Sequence, residues 1–464
     1  MLLPFVALLA AIALAPLFFA SWWGRHFGKL TAALAAIILI CYLPGMGTRA
    51  RAAQVALDYL GFICLIGSLF IISGGIHINV KGEATPRINV AYLLIGALAS
   101  NVLGTTGASM LLIRPWLRMN KYRLTAHHVV FFIFIVSNAG GCLTPIGDPP
   151  LFLGYLKGVP FWWVAQNCWQ IWLVALGILL AMFYLVDRKN FLRAPKEIRE
   201  METRHEEWNF QGLNNLGFLG VVLAAIFVHH PPLLREALMA AAATGSYFST
   251  AKAVHESNDF HFGPIREVAI LFAGIFVTMM PALDWLQANA AHLGQPSPGS
   301  FFWSSGVLSS FLDNAPTYLS FLSVGAGTFA PNDVTSAIVA HVQAHGGDLG
   351  IVIGPFAEQI RQAVTAVTHY QLADLNSHVL KPETARIALI LGNPFSAICL
   401  KALSVGAVFF GANTYIGNGP NFMVKAIADQ QKAHTPTFLG YVFKFTLPFM
   451  FPMLLVIWLL FFRG

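Results

Sequence analysis

Apolar runs long enough to cross a bilayer recur along this chain, at 2–20, 30–45, 56–78, 165–186, 212–229, 236–250, 267–286 and 437–461. Hydrocarbon offers no partner to backbone N–H and C=O groups, so runs of this length are read as helices that satisfy their own hydrogen bonds. The reading is an all-α polytopic membrane protein of about ten spans. Only 11% of the 464 residues are charged, against about 25% in soluble domains. The hydrophobic fraction is 56% and the mean hydropathy +0.65. A soluble enzyme with one anchor is thereby set aside. The net charge of +7 does not indicate nucleic acid, because the basic residues fall mostly in short loops between spans. The five cysteines lie in or beside apolar segments without metal-ligand spacing and are read as small core residues. The first run has no basic segment before it and is read as a span, not a signal peptide.

Four segments depart from the simple apolar pattern. Two are rich in Gly, Ser, Thr, Asn and Pro (88–113 and 300–326), and two are long and interrupted (127–156 and 395–427). The interruption TPIGDPP, Thr144 to Pro150, returns as TYIGNGP, Thr414 to Pro420, at an offset of 270. A weaker alignment sets Ser100 on Ser309 and Leu103 on Leu312, at an offset of 209. The offsets differ by 61, close to the length of a polar stretch, 327–384, read as an insertion outside the bilayer. Each half then holds a span, a Gly/Ser/Thr hairpin and a broken helix in the same order.

Charge supplies orientation. If 88–113 is a re-entrant hairpin, Lys81, Arg87, Arg114, Arg118, Lys121 and Arg123 share a face with Arg188, Lys189, Arg193, Lys196 and Arg199. The positive-inside rule makes that face cytoplasmic. The second hairpin falls on the other face, and its flanks, 287–300 and 327–341, contain no Lys or Arg. The repeats are thus inverted. They comprise 56–186 and 265–464, with a cytoplasmic linker at 187–210 and scaffold spans at 1–55 and 211–250.

Inverted repeats with paired broken helices mark the midplane site of a secondary transporter. Proline biases the residue before it away from helix, so the first half-helix should end before Asp148 and a second should open at Pro149. Asp148 suits the N-cap of that second half-helix, and Asn418 or Gly419 suits the matching place before Pro420. A cap alone would account for an Asp here, yet Asn or Ser would cap without the cost of a buried charge. Asp313, in FLDNAPT, raises the same question.

SNAGGCLTPIGDPP, REVAILFAGIF, FLDNAPT and GANTYIGNGPNFMVKAIA resemble the NhaD-type sodium:proton antiporters of the ion transporter superfamily, over most of the chain but not over 327–384. Close relatives of that family are also labelled citrate transporters. The resemblance implies two hairpins and two broken helices per protomer, scaffold and transport domains, a homodimer, and sodium sites at hairpin tips and facing breaks. Ser100 and Asn101 match a Ser-Asn-Thr tip, with Val102 where threonine is expected; Asp313–Asn314–Ala315 departs further.

The expected ion-binding positions are Ser100, Asn101, Gly104, Thr105 and Thr106 in the first hairpin and Thr144, Gly147, Asp148 and Pro149 at the first break. In the second repeat they are Asp313, Asn314 and Thr317, then Thr414, Gly417, Asn418 and Asn421. Asp148 and Asp313 are the expected proton-coupling groups, Na⁺ (or Li⁺) the ion held by the same residues, and no cofactor is called for. A carboxylate that takes either Na⁺ or H⁺ gives exchange by competition across the plasma membrane. The alternative is a sodium- or proton-coupled citrate or dicarboxylate carrier. It calls for cationic groups at the breaks, and the nearest are Lys157 and Lys425, read as snorkelling from the far ends of their half-helices. His127, His128, His229 and His230 are read as interfacial, and Asp58 and Glu267 as span-terminal charges.

Overall fold

The computed structural model describes residues 2–45, 48–79, 84–193, 209–228, 231–292, 296–350, 352–376 and 378–463. Lys81, Lys196, Arg199, His229, His230 and most of the linker lie outside them. The architecture is all-α, as the apolar runs require. Among the described residues, seven helices are long and apolar enough to cross a membrane, and shorter apolar helices accompany them at Leu3–Pro16, Ala126–Gly141 and Asn215–Ala225.

The order begins with α1 (Leu3–Phe18), α2 (Ala20–Tyr42), α3 (Thr48–Gly74), α4 (Pro86–Met119), α5 (Ala126–Ile135), α6 (Pro149–Leu156) and α7 (Trp163–Arg193). Then come α8 (Asn215–Ala225), α9 (Leu234–Ser249), α10 (Lys252–Ser257), α11 (Gly263–Ala288), α12 (Pro298–Phe311) and α13 (Asn314–Phe329). The chain closes with α14 (Asn332–His345), α15 (Ala357–Tyr370), α16 (Leu372–Asn376), α17 (Pro382–Gly392), α18 (Pro394–Phe410), α19 (Gly419–Gln430), α20 (Phe438–Tyr441) and α21 (Phe451–Phe461). A nine-residue π-helical stretch, Val442–Met450, joins the last two. The expected span at 30–45 begins earlier, because α2 carries Arg25, His26 and Lys29 within its first turns. The long stems of such side chains let the charge reach polar surroundings from a helix.

α4 is not one rod. Its ends meet, with Asn89 donating to Asn120 at 2.8 Å, Tyr92 donating to the Leu112 carbonyl at 2.9 Å, and the Tyr92 and Trp116 rings stacked at 5.5 Å. A straight helix would hold residues 89 and 120 about 46 Å apart. The chain turns back at Gly104, whose φ of 71° and ψ of 156° only glycine adopts readily. The tip is therefore Gly104, one turn beyond Ser100 and Asn101. α12 and α13 fold back likewise, placing Phe301 within 6.1 Å of Phe321 and 6.3 Å of Phe329. Their turn at Leu312–Asp313 stands 209 positions after Leu103–Gly104.

Two interrupted helices face these hairpins. α5 leads through a 3₁₀ turn at Ala139–Gly141 into α6, and α18 leads through Gly411–Asn413 into α19. Val129 to Val136 have no exposure, and a helix apolar and buried all round belongs at the centre of the protein. A short antiparallel pairing of His77–Asn79 with Asn209–Gln211 ties the end of α3 to the start of α8.

The charged clusters are less exposed than the sequence suggests. Arg123 is buried and paired with Asp187 of α7 through both terminal nitrogens, at 2.9 Å for Nη2–Oδ2. His127 and His128 point Nε2 at the same carboxylate, each at 3.1 Å, and are buried rather than interfacial. Two adjacent histidines are both drawn inward because α5 is packed on every side. Lys157 does not snorkel to the solvent. It pairs with Asp58 at 2.6 Å, so Asp58 belongs to an ion pair between α3 and the end of α6.

Candidate functional site

At the first interruption the peptide geometry follows from proline, and the second, where Gly419 stands in place of Pro149, adopts the same geometry. Asp148 precedes Pro149 and is extended at φ −143°, ψ 143°; Asn418, two positions before Pro420, is extended at φ −153°, ψ 141°. Each break is then held by its hairpin with matching bonds. Thr144 Oγ1 donates to the Asn101 carbonyl at 2.6 Å, and Thr414 Oγ1 to the Ser310 carbonyl at 2.5 Å. Ser100 donates to the Val136 carbonyl at 2.7 Å, and Ser309 to that of Ala407 at 2.6 Å. Asn101 bonds the Gly140 carbonyl and receives the Leu143 amide. Ser100, Asn101, Thr144 and Thr414 thus hold backbone together.

Gly147 is constrained by contact. A Cβ there would lie 2.0 Å from the Gly141 carbonyl oxygen, and one at Gly417 would lie 2.6 Å from that of Gly411. Backbone cannot yield as a flexible side chain can. Gly147→Ala is therefore expected to cut transport at least tenfold and lower thermal stability. Gly419→Ala, where a Cβ meets nothing within 4 Å, should leave both unchanged. Proteoliposome flux and melting temperature check the pair, and equal behaviour of the two variants would remove the steric account.

Asp148 occupies the N-cap position of α6, but its side chain makes no capping bond. Its carboxylate turns inward and is fully buried. Thr105 donates to Oδ1 at 2.8 Å, Asn418 to Oδ1 at 3.0 Å, and Asn314 to Oδ2 at 2.5 Å. The first hairpin, the second hairpin and the second break each send one neutral donor. Thr105 and Asn314 are 209 positions apart, and Asp148 and Asn418 are 270 apart, so equivalent positions of the two alignments converge on one carboxylate. Among the described residues no Lys, Arg or His bonds to it. The side-chain amide oxygen of Asn314, Oδ1, is buried and without a partner among the described residues. Beside Asp148 lies a cavity of about 20 Å³, lined also by Gly104, Thr105, Thr106, Gly147 and Pro149. That is room for about one water or one bare ion.

The other expected positions are placed differently. Asp313 caps α13 by accepting the Ala315 amide at 3.0 Å, and Thr317 donates to the Asp313 carbonyl. Asn421 bonds the carbonyls of Gly411 and Thr414 and accepts from Asn138 at 2.7 Å. Asn138 is the residue the sequence reading passed over. Its amide oxygen receives Asn418 at 3.1 Å, so it orients the side chain that reaches Asp148. Its place directly before Ala139–Gly140–Gly141, a run too glycine-rich for a stable helix, was the available signal.

A sequence profile of the family described as "Putative citrate transport" matches residues 1–462. Two curated proteins of Mycobacterium tuberculosis are similar at 26% identity over 269 residues. They are uncharacterized transporter MT2759 of strain CDC 1551 / Oshkosh and uncharacterized transporter Rv2685 of strain ATCC 25618 / H37Rv. The alignment takes in 52% of this chain and about 60% of the length of each relative.

Proposed function

Because the chain belongs to the family described as "Putative citrate transport", and is a multi-pass membrane transporter rather than an enzyme, we propose that it is a secondary active transporter whose coupling site is Asp148. The reading is sodium:proton exchange by alternating access across the plasma membrane, in a homodimer. One observation carries it. Asp148 is fully buried, accepts only neutral donors and has no cationic partner among the described residues. An ionised carboxylate so placed costs several kcal/mol unless a charge arrives to neutralise it. Either a proton or a metal cation does so, and they exclude one another. The unpartnered Asn314 oxygen, the Thr105 hydroxyl and the adjoining cavity favour a hard cation with oxygen ligands.

The family's description favours a second reading, a citrate carrier in which the same carboxylate couples Na⁺ or H⁺ to anion movement. Purified protein in liposomes with a pH dye inside tests both. An imposed Na⁺ gradient alone should move protons. Proton movement only when citrate is present would replace exchange with the carrier.

The hairpins and breaks support an inverted-repeat topology with the basic clusters inside. Cysteines at exposed Arg118 and Arg193, in a Cys-free background, are expected to react from the cytoplasmic side alone. Labelling from opposite sides would overturn this topology.

A further inference from the structure

A cavity of about 570 Å³ lies away from Asp148, between α11, α13 and α17 at the far end of α6. Lys157 on its wall is nine positions after Asp148, or about 13 Å along a helix. The wall carries three cations, Arg51, Lys157 and Arg386, and two carboxylates, Asp284 and Glu383.

The cations are not equally engaged. Arg51 pairs with Glu383 at 3.2 Å and Asp284 at 3.5 Å, and Lys157 pairs with Asp58 at 2.6 Å and Glu383 at 3.5 Å. Arg386 has only a neutral partner, the Asn332 amide oxygen, 2.7 Å from Nη2. Among the described residues no carboxylate comes within 4.0 Å of its guanidinium. Its Nε is buried without a hydrogen bond, as is the Nε of Arg51. Burial pushes the Arg386 guanidinium down from its usual pKa, and the Glu383 charge offsets only part of this. A guanidinium presents a planar fork of donors that fits a carboxylate, and a buried donor without a partner is costly. The rest of the wall is largely apolar, with Leu283, Leu319, Leu322 and Ala326. That suits a carbon skeleton better than a bare inorganic ion.

We propose that this cavity is a binding site for an organic di- or tricarboxylate, anchored by the Arg386 guanidinium with Arg51 and Lys157 beside it. Nothing in it depends on ion exchange at Asp148. A bound carboxylate gives Arg386 its missing acidic partner, and a second carboxylate on the same molecule can reach Arg51 or Lys157 across the cavity.

Titration calorimetry on the full-length protein in detergent, with citrate as probe, tests the assignment. Citrate is expected to bind saturably, at least tenfold more tightly than acetate or inorganic phosphate. Arg386→Gln should weaken citrate at least tenfold. Asn332→Asp should do the same by the opposite route, placing a carboxylate of the protein on Arg386. A cooperative melting transition in each variant shows that it is folded. Glu256→Gln, at an exposed pair outside the cavity lining, should retain citrate affinity. No saturable citrate binding, equal binding of phosphate, or unchanged affinity in both folded variants would overturn the site. Failure of the exchange reading would instead appear as liposome proton flux indifferent to Na⁺, with these titrations unaltered.

Discussion

Asp148→Asn is expected to abolish Na⁺-driven proton movement while leaving the protein folded. The substitution keeps the shape of the side chain and removes the group that holds the proton or the cation. Capping cannot be what is lost, because the carboxylate makes no capping bond. Nor should stability fall. Removing a buried charge that lacks a cationic partner is neutral or favourable, so the melting temperature without Na⁺ should hold or rise. Stabilisation by Na⁺ should vanish, since a ligand stabilises only the state that binds it. Asp313→Asn is the informative contrast. Its carboxylate accepts the Ala315 amide, a role asparagine fills as well, so exchange should persist within a few-fold of the parent. Flux assays in liposomes decide both. Retained exchange in Asp148→Asn would dismiss the coupling role argued for it.

The second large effect concerns stability. Asp187→Ala should destabilise the protein by about 3–5 kcal/mol, because it leaves Arg123 buried without its counter-charge. Arg123, His127 and His128 all converge on this carboxylate, and Asn89 adds a fourth donor at 3.0 Å. These residues join the base of the first hairpin, the start of α5 and the end of α7. The exposed pair Lys252–Glu256 is the control. Glu256→Gln should stay within about 0.5 kcal/mol. Thermal unfolding in detergent compares them, and a similar shift in both would mean that the buried cluster is not a structural anchor.

The membrane class, both hairpin segments and both breaks were legible in the sequence because each has a local cause. Apolar length gives a span, glycine gives the turn at Gly104, and proline gives the extended Asp148. The convergence on Asp148 was only half legible. The offsets of 209 and 270 pair Thr105 with Asn314 and Asp148 with Asn418, but no local rule says that one repeat's donors serve the other repeat's carboxylate. The role of Asn138 was hidden for the same reason, since its partners lie 280 and 283 positions away. His127 and His128 were misplaced because two adjacent polar residues at a helix start look like a surface, and only tertiary packing reveals Asp187 opposite them.

At the place where the two breaks meet, one repeat supplies an acid and the other its neutral amide counterpart. On the exchange reading this sets the electrical character of the cycle. A moving element that carries Asp148 with either Na⁺ or H⁺ aboard presents the same net charge in both directions, and every fixed charge that travels with it returns unchanged. A transmembrane voltage does work of about 2.3 kcal/mol per 100 mV on each elementary charge moved across the bilayer, but here none is left over. One-for-one exchange through a single acid would be driven by the two ion gradients alone, indifferent to the voltage.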